Sequence, residues 1–193
     1  MPDFNYWSKR AKKYEDPLFQ WLLYDRVQNK LLTFIKTKQE PKKIIDIGCG
    51  TGRLLRKIEK IWPKAQLIGI DPSEGMIEKA KKLTPKAKFY IARAESIPLP
   101  DNSVDMILST LSFHHWSDQP QGVSEIWRVL KPKGRLYIAN KTLPISLKLY
   151  YILKGKPYYK AKNIFSKAGF KIEIKKINYI YILFRIEMII GKK

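Results

Sequence analysis

The chain has 193 residues and a formal net charge of +21, with 45% hydrophobic and 28% charged residues, which is typical of a folded domain rather than a disordered one. Its single cysteine, Cys49, excludes an intrachain disulfide and a zinc site built from several cysteines. The sequence has no apolar run of about 18 residues, and its first residues lack the apolar centre of a signal peptide. It therefore predicts one cytoplasmic domain with no membrane span and no metal site.

The positive charge is concentrated towards the C-terminal end. Residues 131–193 carry 16 basic and 2 acidic residues, and such a field attracts phosphate, nucleic acid or an anionic membrane. Only 8 of the 38 basic residues are arginine, and lysine-rich surfaces commonly serve solubility alone. The charge leaves both interpretations open.

Hydrophobic patterns predict alternating strands and helices after residue 40. β-branched runs that stop at glycine or proline indicate buried strands, and apolar residues three to four positions apart indicate amphipathic helices. The predicted strands are 42–48, 66–72, 88–93, 104–110 and 135–140, and the predicted helices are 53–62, 73–83, 119–130 and 161–170, with a turn at 131–134. This alternation predicts a doubly wound, mostly parallel sheet.

The two ends of the chain have different patterns. Apolar side chains in the first 40 residues share one helical face and predict one or two helices: Leu22, Leu23, Val27, Leu31, Leu32 and Ile35. Residues 170–179 and 182–190 show period-two alternation, the second through Phe184, Ile186, Met188 and Ile190. This alternation predicts an antiparallel hairpin at a sheet edge. We expect a single seven-stranded α/β domain over 1–193, with an N-terminal helical segment (1–40), a core (41–140), and a C-terminal helix with edge strands (141–193).

A glycine-rich loop follows the first predicted strand. Gly48, Gly50 and Gly52 lie between that strand and a helix, where glycine lets a ligand approach the backbone and the helix N-terminus offers free amides. About 20 residues further on, the second strand ends at Asp71, a position from which a carboxylate accepts both hydroxyls of a ribose. The two features predict a site for a nucleoside-containing cofactor.

The spacing of the loop narrows the kind of cofactor. A dinucleotide loop has the pattern G-x-G-x-x-G, whereas Arg53 stands here at the place of the third glycine. No Lys-Ser or Lys-Thr pair follows, so the loop is not a P-loop. Asp46, two positions before the first glycine, would repel a pyrophosphate but attract an ammonium group or hold the amides of the loop. S-adenosylmethionine fits these features, because it carries a ribose and a positive group and no pyrophosphate.

Four segments in order resemble the motifs of one family: IIDIGCGTGRLL, GIDPSEGMIEKA, ARAESIPLPDNSVDMILSTLSFHHW and RVLKPKGRLYIAN. They look like successive motifs of the class I S-adenosylmethionine-dependent methyltransferases, and most resemble the type 11 group, which includes quinone-biosynthesis and other small-molecule methyltransferases. The resemblance covers roughly residues 40–140 and extends more weakly to AGFKIEIKKI. It implies the Rossmann-like methyltransferase fold, S-adenosyl-L-methionine as the cofactor, and an N-terminal lid.

The resemblance also implies residue roles. The loop and Asp46 would line the methionine and ribose part of the cofactor, and Asp71 would bind the ribose hydroxyls. The segments after strands three and four would flank the adenine and the methionine end, and a tyrosine of the lid would close over the cofactor. The residues expected at the cofactor are Tyr14, Asp46, Gly48, Cys49, Gly50, Gly52, Asp71, Pro72, Met76, Ala94, Glu95, Ser109 and Leu111.

The chain departs from the family pattern in two places. The family usually has Gly-Asp before the Ala-Glu pair, with the aspartate reading the adenine amino group, whereas this chain has Ala92 and Arg93. That contact must be absent here, or made by the backbone or by Glu95. In the turn before strand five, Lys133 replaces one glycine of the family's Leu-Lys-Pro-Gly-Gly.

His114 and His115 are the only histidines and follow strand four, where a methyl acceptor would lie. Either is a candidate general base, although adjacent side chains do not easily face one pocket and some acceptors need no base. The alternative is a loop histidine or a contact with the adenosine. Asp118 is a weaker candidate base and as good a helix N-cap.

Three of the expected cofactor residues also have ordinary structural interpretations. Met76 packs a core as readily as it contacts an adenine. Tyr14 is either part of the lid or a helix-packing residue. Cys49 fits a small loop residue better than a nucleophile, because no partner base is visible.

The segment LPISLKLYYILKGKPYYKAK (143–162) interleaves lysines with tyrosines. Such a segment suits nucleobase stacking with phosphate contacts, an amphipathic surface for a membrane or a hydrophobic substrate, or an ordinary helix with snorkelling lysines.

The methyl acceptor is narrowed mainly by what the sequence lacks. ILSTLSF stands where an Asn-Pro-Pro-Tyr segment would indicate transfer to an adenine amine, and a covalent mechanism on a pyrimidine needs a second cysteine. We therefore expect in-line methyl transfer to an oxygen, carbon or sulfur atom of a small molecule. The alternatives are an RNA (tRNA) methyltransferase that uses the basic C-terminal third, or a non-catalytic module that binds S-adenosylmethionine or RNA.

Overall fold

The computed structural model describes residues 6, 8–9, 11, 14–16, 24–35, 37, 39–142, 161–177 and 185–193. Its strands are β1 (Lys43–Ile47), β2 (Gln66–Asp71), β3 (Lys88–Ile91), β4 (Val104–Thr110), β5 (Leu130–Thr142), β6 (Lys171–Ile177) and β7 (Arg185–Lys192). Its helices are α1 (Arg26–Phe34), α2 (Arg53–Ile61), α3 (Glu74–Leu83), α4 (Gln119–Val129) and α5 (Ala161–Lys167), with a 3-10 turn at Phe113–His115.

The seven strands form one sheet in the order β3-β2-β1-β4-β5-β7-β6. Strands β1 to β5 pair in parallel, and β7 runs antiparallel to both of its neighbours. The predicted doubly wound, mostly parallel sheet with an antiparallel pair is confirmed. The winding reverses between β1 and β4, and ligands of such sheets bind beyond the carboxyl ends of the strands at this reversal.

Helices cover both faces of the sheet. Helices α1, α2 and α3 pack on one face, with Leu31 and Ile58 fully buried among residues of the sheet. Helices α4 and α5 pack on the other face, with Ile126 and Phe165 fully buried. Because alternate residues of a strand point to opposite faces, the β-branched run in β1 supplies both cores.

Two helices are capped at their N-termini by the side chain of the preceding residue. Ser73 precedes α3, and its hydroxyl accepts a hydrogen bond from the Met76 amide at 3.4 Å. Asp118 precedes α4, and its carboxylate accepts from the Gln121 amide at 3.0 Å. Asp118 therefore caps a helix, one of the two roles that the sequence allows for it.

The segment before strand five differs from the predicted turn. Helix α4 ends at Val129, and β5 already begins at Leu130, which pairs with Val104. Regular pairing with β4 resumes only at Arg135, so residues 131–134 form an irregularity within a long strand rather than a separate turn. Lys133, which replaces a family glycine, has a φ of 67° in this irregularity.

The C-terminal hairpin has an unexpected order within the sheet. Strand β6 forms the edge, and β7 lies between β5 and β6. Residues on both faces of β7 are therefore buried, with Ile186, Met188 and Ile189 at most 5% exposed. The predictions for Leu22, Leu23, Phe184 and most of the 143–162 segment lie outside the described residues.

Candidate functional site

A cleft opens at the carboxyl ends of β1, β2 and β4. Its space, which includes open solvent, is about 770 Å³. It is lined by Tyr14, Tyr24, Ile47, Gly48, Gly50, Asp71, Pro72, Met76, Ala92, Arg93, Ala94, Glu95, Thr110, Leu111, Ser112, His115, Trp116 and Ser117. The cleft therefore lies at the reversal point of the sheet.

The glycine loop forms one wall of this cleft and is fixed by β2. The amides of Gly48 and Cys49 both donate to the Ile70 carbonyl, at 2.8 and 3.0 Å. The Gly50 amide donates to Oδ2 of Asp71 at 2.9 Å. The three amides are thus bonded within the protein, and the loop does not need Asp46 to hold them.

Backbone angle and close approach explain two of the glycines. A Cβ at Gly48 would lie 1.9 Å from Oγ of Ser112, and the residue has a φ of 72°. A Cβ at Gly50 would lie 3.5 Å from the Tyr14 ring, at a φ of 52°. Because L side chains rarely adopt such angles, the backbone favours glycine at both positions. At Gly48 the Ser112 side chain also excludes a Cβ, whereas the Tyr14 ring would lie at an ordinary contact distance from a Cβ at Gly50.

Asp71 ends β2 and presents a fixed carboxylate to the cleft. Its Oδ1 accepts from the Ser73 amide at 2.9 Å, while Oδ2 accepts from Gly50. Burial raises the pKa of Asp71, and the two amide hydrogen bonds oppose this rise. Each oxygen retains a lone pair for a ligand hydroxyl, since a carboxylate oxygen accepts more than one hydrogen bond.

Asp46 lies in β1 below the loop and is 1% exposed. Its Oδ1 has no hydrogen-bond partner among the described residues. Burial, with a smaller contribution from the negative charge of Asp71, raises the pKa of Asp46 to about 8. An unpaired buried carboxyl is costly, so this position favours a ligand that brings a positive charge.

The segment after β3 forms another wall of the cleft. Met76 and Ala94 are buried beside it, at 2% and 6% exposure. Oε1 of Glu95 accepts from the Asp118 amide at 2.9 Å. The exposed Arg93 also lines the cleft.

The segment after β4 lies beside the glycine loop, because β4 is the neighbour of β1 in the sheet and Ser112 approaches Gly48 closely. Leu111 has a φ of 54° and donates its amide to the Ala139 carbonyl at 2.8 Å. His115 lines the cleft, whereas His114 does not and instead places Nδ1 3.1 Å from Oδ1 of Asn140. The two imidazole centroids are 4.0 Å apart. Of the two histidines, His115 therefore lines the cleft and His114 packs against its ring.

Tyr14 covers the glycine loop. Its ring contacts the Tyr24 ring at a centroid distance of 5.2 Å, and both line the cleft. Burial is the main cause that raises the pKa of Tyr14 well above its ordinary value, with contributions from Tyr24 and Asp71. The phenol therefore stays neutral at physiological pH.

Arg53 anchors the segment that carries Tyr14. It donates to Asp25 at 3.0 and 2.7 Å and to Glu15 at 3.2 Å. Arg56 donates to Glu15 as well, and the Thr51 hydroxyl of the glycine loop also donates to that carboxylate. The residue that occupies the place of a third glycine thus ties the N-terminal segment to the start of α2.

A family model described as "Methyltransferase domain" matches residues 45–138. This range contains both the glycine loop and the segments after β2, β3 and β4. Residues 45–138 form a class I S-adenosylmethionine-dependent methyltransferase domain of the type 11 group.

One relative with a stated activity is similar to this chain over much of its length. A demethylmenaquinone methyltransferase of Chlorobaculum parvum is 34% identical over 139 residues, 70% of this chain and 57% of the relative. The chain thus spans little more than half the length of that relative.

Solved structures with the same fold cover the whole chain. One is from a complex between the Haloferax volcanii Trm112 methyltransferase activator and a methyltransferase, with a TM-score of 0.79, 21% identity, and coverage of 100% of this chain and 98% of the other. Another is a Haemonchus contortus phosphoethanolamine N-methyltransferase in complex with phosphomonomethylethanolamine and S-adenosylhomocysteine, with a TM-score of 0.75, 17% identity, and coverage of 100% and 60%.

The cleft of the methyltransferase domain contains most of the residues expected at the cofactor. Those that line it are Tyr14, Gly48, Gly50, Asp71, Pro72, Met76, Ala94, Glu95 and Leu111, together with the candidate base His115. Asp46, Cys49, Gly52 and Ser109 do not line it, and Asp46 is buried in β1 below the loop. The Ser109 hydroxyl instead donates to the Ile47 carbonyl at 2.8 Å and ties β4 to β1. Burial raises the pKa of the Cys49 thiol well above its ordinary value, which argues against a nucleophile.

Several residues that line the cleft were not among those expected at the cofactor. They are Tyr24, Ile47, Ala92, Arg93, Thr110, Ser112, Trp116 and Ser117. For Ser112 and Trp116 the sequence offers one signal, which is that they directly follow Leu111 and His115. Tyr24 has none, because only folding brings it against Tyr14.

Two further findings concern metals and membranes. The residues that the structure describes contain no group of three or more histidine, cysteine, aspartate or glutamate side chains placed to hold a metal ion. Among the same residues, the helices are too short or too polar to cross a membrane.

Proposed function

We propose that this protein transfers the methyl group of S-adenosylmethionine to an oxygen, carbon or sulfur atom of a small molecule. The observation that carries the proposal is the pair of carboxylates at the cleft. Asp71 lines the cleft with both oxygens fixed by amides, and Asp46 is buried below it with Oδ1 unpaired among the described residues. A ribose satisfies the first, and an ammonium group satisfies the second.

Each wall of the cleft has a proposed task in binding. Asp71 accepts the ribose hydroxyls, and Met76 and Ala94 contact the adenine through apolar surface. Asp46 attracts the ammonium of the methionine part. We also propose that residues 1–40 form the lid of a single domain, in which Tyr14 excludes water from the loop.

S-adenosylmethionine supplies a methyl group on a positive sulfur, which the acceptor atom takes by in-line displacement. The protein then contributes mainly by proximity and alignment. His115 faces the cleft and is the candidate to remove a proton from the acceptor, in contact with the His114 ring behind it. Acceptors that lose no proton do not need this step.

The proposed acceptor class is supported by the apolar part of the cleft lining. Leu111, Trp116 and Tyr24 give this part of the cleft an apolar and aromatic surface, which suits a flat, largely apolar molecule. The similarity to a demethylmenaquinone methyltransferase supports such an acceptor. RNA is the second candidate, because residues 131–193 carry 16 basic and 2 acidic residues.

The proposal is tested first by binding and then by transfer. Calorimetric titration with S-adenosylmethionine should give saturable binding to the wild type, and Asp71→Ala should weaken it about tenfold to a hundredfold, since a charge-assisted hydrogen bond is lost. Labelled methyl transfer is then measured to quinols, catechols, thiols and tRNA at several salt concentrations. Absence of binding would exclude the function, and transfer to tRNA alone would replace the small molecule by RNA.

A further inference from the structure

Ser112 occupies an unusual position in the wall of the cleft. Its Oγ lies where a Cβ of Gly48 would be, 1.9 Å from that ideal position. The residue follows Leu111, whose φ of 54° turns the chain back towards the loop. Ser112 therefore reaches the glycine loop because residue 48 has no side chain and residue 111 accepts an uncommon backbone angle.

The hydroxyl of Ser112 is oriented by a neighbour. Nε1 of Trp116 donates to Oγ at 3.0 Å, so the oxygen serves as an acceptor on that side. A serine hydroxyl also has one proton to donate, and the described residues provide no acceptor for it. Because Ser112 lines the cleft, that proton is available to a ligand.

Trp116 is itself held firmly. Its ring packs edge-on against Phe113 at a centroid distance of 4.9 Å. On another side it rests on α4, where a Cβ at Gly122 would lie 2.6 Å from the indole. Helix α4 thus needs a glycine to seat the indole that orients Ser112.

Resting on the proposed function, we propose that Ser112 recognises the methionine carboxylate of the cofactor, with Trp116 as its positioning residue. An amino-acid head group carries an ammonium and a carboxylate, so it needs both an acceptor and a donor. Asp46 lies two residues before Gly48 and offers an unpaired carboxyl oxygen on one side of the loop. Ser112 touches Gly48 and offers the donor at the same end of the cleft.

The test compares two ligands that differ only in the carboxylate. They are S-adenosylhomocysteine and its decarboxylated analogue S-adenosyl-3-thiopropylamine, which keeps the adenosine, the thioether and the ammonium. Ser112→Ala should weaken S-adenosylhomocysteine about tenfold to a hundredfold and leave the analogue within about twofold. Asp46→Asn is the matched control and should weaken both ligands, since both retain the ammonium.

Trp116→Phe tests the positioning role, because it keeps an aromatic ring on Gly122 and removes the indole N–H. It should weaken S-adenosylhomocysteine less than Ser112→Ala does and leave the analogue unchanged. Far-ultraviolet circular dichroism checks that each variant folds. Equal losses for both ligands in Ser112→Ala, or no loss for either, would overturn the inference while the wild type still binds. If the wild type binds neither ligand, the proposed function fails as well.

Discussion

The buried carboxyl of Asp46 makes a quantitative prediction about how cofactor binding depends on pH. Its pKa is raised to about 8 by burial, and the nearby Asp71 adds to the rise, so the ligand-free protein holds this group protonated at pH 6 to 7. A bound ammonium favours the ionised form and lowers the pKa again. Cofactor binding should therefore release a proton.

The size of the pH effect on affinity follows from the difference between the pH and the pKa of Asp46. At pH 6, two units below a pKa of about 8, ionising Asp46 costs about 2.7 kcal/mol, and at pH 7 about 1.4 kcal/mol. The affinity for S-adenosylhomocysteine should thus rise about tenfold from pH 6 to pH 7. Higher pH is avoided in this measurement, because Asp46 itself begins to ionise in the ligand-free protein as the pH approaches 8 and the pH dependence of the affinity then levels off.

Calorimetric titration in buffers of different ionisation enthalpy measures both quantities, the affinity and the number of protons released. We expect nearly one proton released per site at pH 6.5 in the wild type and none in Asp46→Asn. 5′-Methylthioadenosine, which lacks the ammonium, is the ligand control and should bind with a pH-independent affinity. A flat profile for S-adenosylhomocysteine in the wild type, or the same slope in Asp46→Asn, would refute the reasoning.

Three further predictions concern the loop and its surroundings. Arg53→Ala removes partly buried ion pairs and should lower the free energy of unfolding in urea by about 1–2 kcal/mol. Lys86→Ala, at the exposed end of another pair, should change this free energy by less than about 0.5 kcal/mol, and equal effects of the two variants would contradict the anchoring role. Gly48→Ala should lower the free energy of unfolding by at least about 2 kcal/mol, and adding Ser112→Gly should restore part of this loss. A double variant that is no more stable than Gly48→Ala would exclude the steric cause. The Cys49 thiol should react with a disulfide reagent only as fast as the protein opens, and immediate reaction in native buffer would contradict its burial.

The sheet could be predicted because its signals are local. A buried parallel strand is a short apolar run, which in β1 and β2 stops at a glycine or a proline. The position of β7 could not be predicted in this way. Period-two alternation describes a strand with one buried face, whereas β7 contributes Ile189 to the core on one face of the sheet and Ile186 and Met188 to the core on the other. It does so as an inner strand, since β6 pairs with its outer edge. Which strand becomes the edge depends on pairing between distant segments.

The residues of the candidate site were likewise predictable from the sequence only in part. Asp71 and the glycine loop carry a spacing that indicates a nucleoside site, and both line the cleft. Ser112 and Trp116 have no such spacing, because their importance depends on contacts with Gly48 and Gly122 that only the folded chain creates. A hydroxyl that fills the place of a missing Cβ leaves no pattern in the sequence.

Arg53 is informative both through its place in the sequence and through its contacts in the folded chain. In the sequence it excludes a dinucleotide, since a third glycine would stand there. In the structure its guanidinium binds Asp25 and Glu15, which precede it by 28 and 38 positions. Glu15 also accepts from Thr51 in the glycine loop and adjoins Tyr14, which covers Gly50. A glycine at position 53 would remove this anchor, so the residue that narrows the ligand class also holds the segment that covers the loop.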